Sequence, residues 1–139
     1  MSTGAASWNE IEQVTKVIKK SNLILMHCVS AYPCHPENIN LERIDDLKTI
    51  SSEVGYSGHL PEIYDALASM EYGVNYIEKH FTIDKSLPGR DNEFALLPSE
   101  LKIICSYRDR YQDMKIYHGK DSQDIESDII ENYRGRWSK

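Results

Sequence analysis

The chain reads as an α/β protein with parallel strands, on three observations. Helical spacing and strand-like apolar runs alternate in the order helix, strand, helix, strand, helix, strand, helix; right-handed crossovers between parallel strands leave this pattern. The first strand-like run, Leu23 to Val29, is continuous apart from His27, as in a strand buried on both faces. Turn-forming residues, among them Pro33, Pro36, Gly58 and Gly73, separate the runs.

Each element has its own signal. Ser7 sits at an N-cap position with Glu10 three residues on, a capping-box pattern, and Trp8, Ile11, Val14 and Ile18 follow at helical spacing, predicting helix one over Trp8 to Lys20. Asn22 breaks it, and the run 23–29 is strand one. After the Pro-containing loop 30–40, Leu41, Ile44, Leu47 and Ile50 predict helix two over Leu41 to Ser52. Val54 to Ser57 is a short second strand ending in Gly58 and His59. Pro61 suits the first turn of helix three, which runs to Tyr72 with Gly73 as its C-cap. Strand three is Tyr76 to Phe81, and helix four spans Pro98 to Met114 on Leu101, Ile104 and Tyr111. The periodicity then fades, so residues 1–116 are expected to form the α/β unit and 117–139 a polar tail with at most a short helix.

Composition narrows the function. With 139 residues, a net charge of -6 and 40% hydrophobic residues, one soluble globular unit is expected. No apolar run is long enough for a membrane span, and Met1 to Glu10 lacks the features of a signal peptide. An acidic chain with scattered basic residues is a poor partner for nucleic acid. Cys28, Cys34 and Cys105 form no disulfide framework, which makes the cytoplasm the expected compartment. The string HCVSAYPCH does not have the spacing of a zinc finger or ribbon, and strand alternation puts His27 and Cys28 on opposite faces.

Three strands make a small sheet with two edges to cover, and a complete (β/α)₈ barrel takes about 250 residues. The chain therefore looks like the later part of something larger. Its organising stretch is Tyr76 to Asp91, YIEKHFTIDKSLPGRD, where a strand carrying His80 runs into a Pro- and Gly-rich loop. In α/β proteins chemistry collects where strands end.

With HCVSAYP, VGYSGH, YIEKHFTIDKSLPGRD and LLPSELK in this order, the chain resembles the sialic acid synthase family. The four blocks span Ser2 to Leu101, and together they are far more specific than any one of them. The resemblance implies a partial (β/α)₈ TIM barrel, about its last three βα units, with the Ser-Thr-Gly at the start resembling the turn after strand five. It also implies the reaction, in which C3 of phosphoenolpyruvate attacks the aldehyde of N-acetylmannosamine or a related aldose, water adds at C2 and phosphate leaves. A divalent metal is implied, manganese first, with magnesium or cobalt as alternatives.

By the same resemblance His59 and His80 fall on the family's metal ligands. Neutral imidazole suits manganese, and two protein ligands leave positions open for substrate oxygen and water. Ser2 and Ser57 resemble positions that hold phosphoenolpyruvate. Ser30 falls at another such position, where many members have Asn. Tyr32 resembles a position near the sugar, and Asp91 one that accepts from sugar hydroxyls. No catalytic acid or base is assigned within these residues, since the lysines that neutralise phosphoenolpyruvate and the assisting acidic residue lie in the family's first half. Bacterial members commonly read Ser-Asp-His where this chain, like animal members, has Ser57-Gly58-His59; Arg90-Asp91-Asn92 and Leu96-Leu97-Pro98 depart from the family's Pro-Asp-His and Ser-Leu-Glu-Pro.

Each residue also has a plainer reading. A histidine in an α/β domain is commonly a hydrogen-bonded structural group, and His27, inside its strand, keeps that reading; His35 in a loop and His118 in the tail read as solvated side chains. Asp91 also suits a turn, the serines suit helix caps, and Tyr32 suits loop packing. At the level of the whole chain the alternative is a non-catalytic half-barrel module that dimerises, or complements an N-terminal half-barrel, to bury its open edges.

Overall fold

A computed structural model describes residues 1–18 and 23–135. Five helices and three strands are found among the described residues: α1 (Trp8–Val17), β1 (Ile24–Cys28), α2 (Arg43–Lys48), β2 (Glu53–Gly58), α3 (Tyr64–Glu71), β3 (Tyr76–Lys79), α4 (Pro98–Met114) and α5 (Ser127–Asn132). They fall in two compact units, Met1–Asp109 and Arg110–Lys139. The first contains the sheet, and α5 belongs to the second.

The sheet is parallel in the order β1, β2, β3. Its register aligns Met26, Gly55 and Tyr76 in one row and Cys28, Ser57 and Glu78 in the next. Because successive side chains alternate across a strand, these rows lie on one face and Leu25, His27, Val54 and Tyr56 on the other. That second face packs against the helices, and Leu25, Val54 and Tyr56 join Ile11, Ile44 and Leu47 in one buried cluster. Fully burying such a side chain contributes about 1.5–3 kcal/mol. The fold is therefore held mainly from the helical side.

Two short pairings extend the sheet. On the outer side of β1, Met26 N–H donates to Met1 O (2.8 Å) and Thr3 N–H to Met26 O (3.0 Å), in a parallel bridge between Ser2 and Met26. Arg43 from α2 reaches the carbonyls of Thr3 and Ala6 and holds this segment in place. Beyond β3, Leu96 N–H donates to His80 O (2.7 Å) and Thr82 N–H to Leu96 O (2.9 Å).

Most element boundaries agree with the sequence reading, and the differences have causes. The capping box of α1 is present, and α1 ends at Val17; Lys19, Lys20 and Asn22 lie outside the described residues. Its buried face is Ile11 and Thr15, while Trp8 and Val14 remain exposed. Helix two is shorter than expected because its ends tighten into three-residue turns, with Ile44 N–H donating to Leu41 O and Thr49 N–H to Asp46 O. Helix three starts at Tyr64 rather than at Pro61, since the carbonyls of Leu60 and Glu62 turn to the Lys79 ammonium. Gly73, at φ +62°, ends it as expected. Strand three pairs with β2 only as far as Lys79, and beyond it His80 and Thr82 pair with Leu96 on the opposite edge. On α4 only Ile104 is buried.

Candidate active site at the strand ends

Two residues past the row of Cys28, Ser57 and Glu78, the same face carries Ser30, His59 and His80 at the C-terminal ends of the strands. Here the two histidines meet, with ring centroids 5.4 Å apart. His59 is buried, and its Nδ1 lies 2.8 Å from Val29 O. A carbonyl can only accept, so Nδ1 carries a proton, and in the neutral ring Nε2 is the nitrogen with the lone pair. His80 is about one-third exposed, and its Nδ1 stands 3.5 Å from Asp91 Oδ2. A hydrogen-bond partner on Nδ1, as His59 has, is the arrangement that orients metal-binding histidines and leaves Nε2 for the ion; Asp91 approaches His80 only at ion-pair distance.

Tyr32 and Phe94 wall this pair. The Tyr32 ring lies 4.1 Å from that of His59, and Phe94 lies 5.4 Å from that of His80. The loop carrying Tyr32 is tied to β2 through Cys34 N–H, which donates to His59 O (2.9 Å); the Tyr32–Pro33 peptide is cis. Below them, Ser57 Oγ donates to Glu78 Oε1 at 2.8 Å.

Four of the seven residues expected from the sequence, His59, His80, Tyr32 and Asp91, thus come together. Ser57 lies one row beneath. Ser30 adjoins the N-terminal turn so closely that a Cβ on Gly4 would stand 2.3 Å from Ser30 Oγ. Ser2 is not brought to the histidines: it is bridged to Met26, four residues before Ser30 and therefore roughly 13 Å lower along the strand. His27 keeps its structural reading, with no exposure and Nε2 2.8 Å from Ile39 O.

Several contributors were not identified from the sequence. Glu78 could have been found, since alternation from His80 puts it on the same face. Phe94 lies in a loop turn that carries no such signal. Lys79 and Asp65 form a buried ion pair on the helical side, Nζ to Oδ2 2.9 Å, from positions whose spacing does not announce it. Burial lowers the Lys79 pKa against the opposing pull of Asp65, and burial beside Asp65 drives that of Tyr56 upward.

The donor set fits a borderline divalent ion with open positions. With metal–nitrogen bonds of about 2.1 Å, two imidazoles on one ion have centroids about 5 Å apart, close to the separation here. Among the described residues no cluster of three or more His, Cys, Asp or Glu side chains offers a fuller metal site.

Comparison with known proteins decides the family. The NeuB family profile matches residues 1–118. The chain belongs to the NeuB family. It is 39% identical over 112 residues to the N,N'-diacetyllegionaminic acid synthase of Campylobacter jejuni, covering 76% of this chain and 34% of that protein. It is 34% identical over 113 residues to the N-acetylneuraminate-9-phosphate synthase of Homo sapiens, covering 78% and 32%. The crystal structure of the N-acetylneuraminic acid (sialic acid) synthetase of Leptospira borgpetersenii superposes with a TM-score of 0.79 at 35% identity, over 99% of this chain and 49% of that one. The chain thus spans about one third of the length of these two curated relatives. Its parallel strands and flanking helices are part of a TIM barrel of the sialic acid synthase kind, and the histidines stand at the strand ends where such barrels carry their active sites. No helix among the described residues is long and apolar enough to cross a membrane.

Proposed function

We propose that this NeuB-family chain carries the metal-binding part of a nonulosonate synthase site, one that condenses phosphoenolpyruvate with N-acetylmannosamine or a related N-acylated aldose and releases phosphate. One observation carries this reading: neighbouring strands deliver two imidazoles 5.4 Å apart, each with Nδ1 facing an oxygen partner. A divalent ion, manganese first and magnesium or cobalt as alternatives, when bound supplies polarisation of the aldose carbonyl. The Tyr32 ring packs on that of His59 and lines this side of the site. Ser30 and Ser57 offer hydroxyls to phosphoenolpyruvate oxygens, with Ser2 lower on the same side. Asp91, while orienting His80, accepts from a sugar hydroxyl.

The site needs cations for a trianionic substrate, and the lysine next to His80 in sequence is committed elsewhere, since Lys79 Nζ is bonded to Asp65, Leu60 O and Glu62 O. We therefore assign the cations to an N-terminal half-barrel, in the same polypeptide or another chain. The test refolds this chain with the N-terminal half of the Campylobacter relative and measures phosphate release. Release is expected only with an N-acylated aldose present, and His80→Ala should abolish it. Phosphoenolpyruvate left intact with every aldose tried would sink the synthase reading and favour an assembly role.

A further inference from the structure

Behind the two histidines lies a second polar group that family membership does not explain. Lys79 immediately precedes His80, and Leu60 immediately follows His59. The Lys79 side chain is 5% exposed and that of Asp65 is fully buried. Nζ donates to Leu60 O (2.6 Å), Glu62 O (3.0 Å) and the Asp65 carboxylate (2.9 and 3.0 Å). Three protons thus meet two carbonyls and one carboxylate, which saturates the ammonium. Asp65 Oδ2 also accepts from the Tyr56 hydroxyl at 2.9 Å. One ammonium thereby joins β3, the turn after β2 and the start of α3.

Gly58, the Cα partner of Lys79, makes room for this arrangement. A Cβ there would stand 2.2 Å from Asp65 Oδ2 and 2.6 Å from Tyr56 Cε1. A buried ion pair is a poor source of net stability, and apolar groups could fill the same volume. They could not direct the backbone on both sides of the site. Lys79 does, because its acceptors belong to the segment leaving His59 while its own backbone delivers His80.

We propose that Lys79, held by Asp65, is a positioning residue that sets the spacing of His59 and His80. The inference rests on the reading of those imidazoles as a metal pair. Lys79→Met alone would leave the Asp65 charge buried and unpaired, so the variant of choice is Lys79→Met/Asp65→Leu in the intact protein, with Asp65→Asn as the milder second. Metal-free crystal structures read the spacing, Mn2+ titration reads affinity, and thermal melting separates both from folding.

The centroid separation should depart from 5.4 Å by about 1 Å or more. Mn2+ affinity should fall about tenfold or more in protein that still melts cooperatively, as when groups that orient a metal's ligands are removed. An unchanged separation in both variants overturns the proposal, as does unchanged affinity alongside a lowered melting point. The metal reading has its own control: wild-type Mn2+ affinity that does not respond to His59→Ala refutes that reading, while the separation still decides the role of Lys79.

Discussion

The two faces of the sheet differ in what they have been given to pack against. On the helical face Leu25 has no exposure and Val54 has 1%. On the other face Met26 is only half-buried, Glu78 is exposed and Tyr76 is 47% exposed. Residues next to one another on one strand thus sit in different media. The helical face is a finished core. The opposite face is the inner wall of a barrel, whose interior is filled by layers of side chains from several strands. One such layer has begun, for Met26 Sδ lies 2.3 Å from where a Cβ on Gly55 would be.

Leu25 and Met26 give the sharpest test of that contrast. Leu25→Ala should cost about 2–5 kcal/mol, whereas Met26→Ala should cost about 1 kcal/mol or less, both measured by urea unfolding of this chain. Equal costs would erase the distinction between the faces. Pairing with an N-terminal half-barrel should raise the Met26 cost and leave that of Leu25 unchanged. Next in size is Gly58→Ala. Its new methyl meets Asp65 and Tyr56 from within the buried network, so a loss of about 1–3 kcal/mol from overpacking is expected. A neutral result would show that the Asp65 carboxylate can move away without harm.

The same contrast decides what could be read from the sequence. The helical face follows from periodicity: Ile11, Ile44, Leu47 and Val54 all lie in the buried cluster, and the limits of α4 match those expected. The histidine pair was legible because strand ends and motif blocks coincide at His59 and His80. Illegible were features that depend on cross-strand register or on bonds between distant residues. Glu78 meets Ser57 only through the β2–β3 alignment, and Lys79 meets Leu60 and Glu62 across nearly twenty residues. That bond is also why α3 begins late. Local propensity at Pro61 favoured a helix start, and a buried ammonium with unfilled donors outweighed it.

His27 adds a pH dependence to the finished face. Burial, reinforced by the Arg43 charge, lowers its pKa below the ordinary 6.5, against the pull of the Ile39 carbonyl. The unfolded chain therefore takes up a proton near pH 6.5 that the folded chain refuses until the pH is lower. The stability contributed is present above pH 6.5 and is lost as the pH falls through the window below it, at up to about 1.4 kcal/mol per pH unit. His27→Gln should flatten that slope in unfolding experiments run from pH 7.5 to pH 5. A slope that survives the substitution would assign it to another group.

The smallest effect expected tests how far the finished face extends. Helix α1 contributes Ile11 and Thr15 to burial, while Val14 is 43% and Val17 is 83% exposed, so it is attached along a narrow stripe. Its N-terminus depends on the capping box: Ser7 N–H donates to Glu10 Oε2 (2.8 Å), and Ser7 Oγ accepts from Glu10 N–H (3.4 Å). The bonds from Ser7 hold the Glu10 carboxyl below its usual pKa. Ser7→Ala should cost about 1 kcal/mol. If α1 opens on its own, that cost appears as amide exchange about fivefold faster within residues 8–17 and leaves the urea midpoint in place. A shifted midpoint with uniform exchange would instead make α1 part of the same cooperative unit as Leu25, and the finished face would then reach to the first helix.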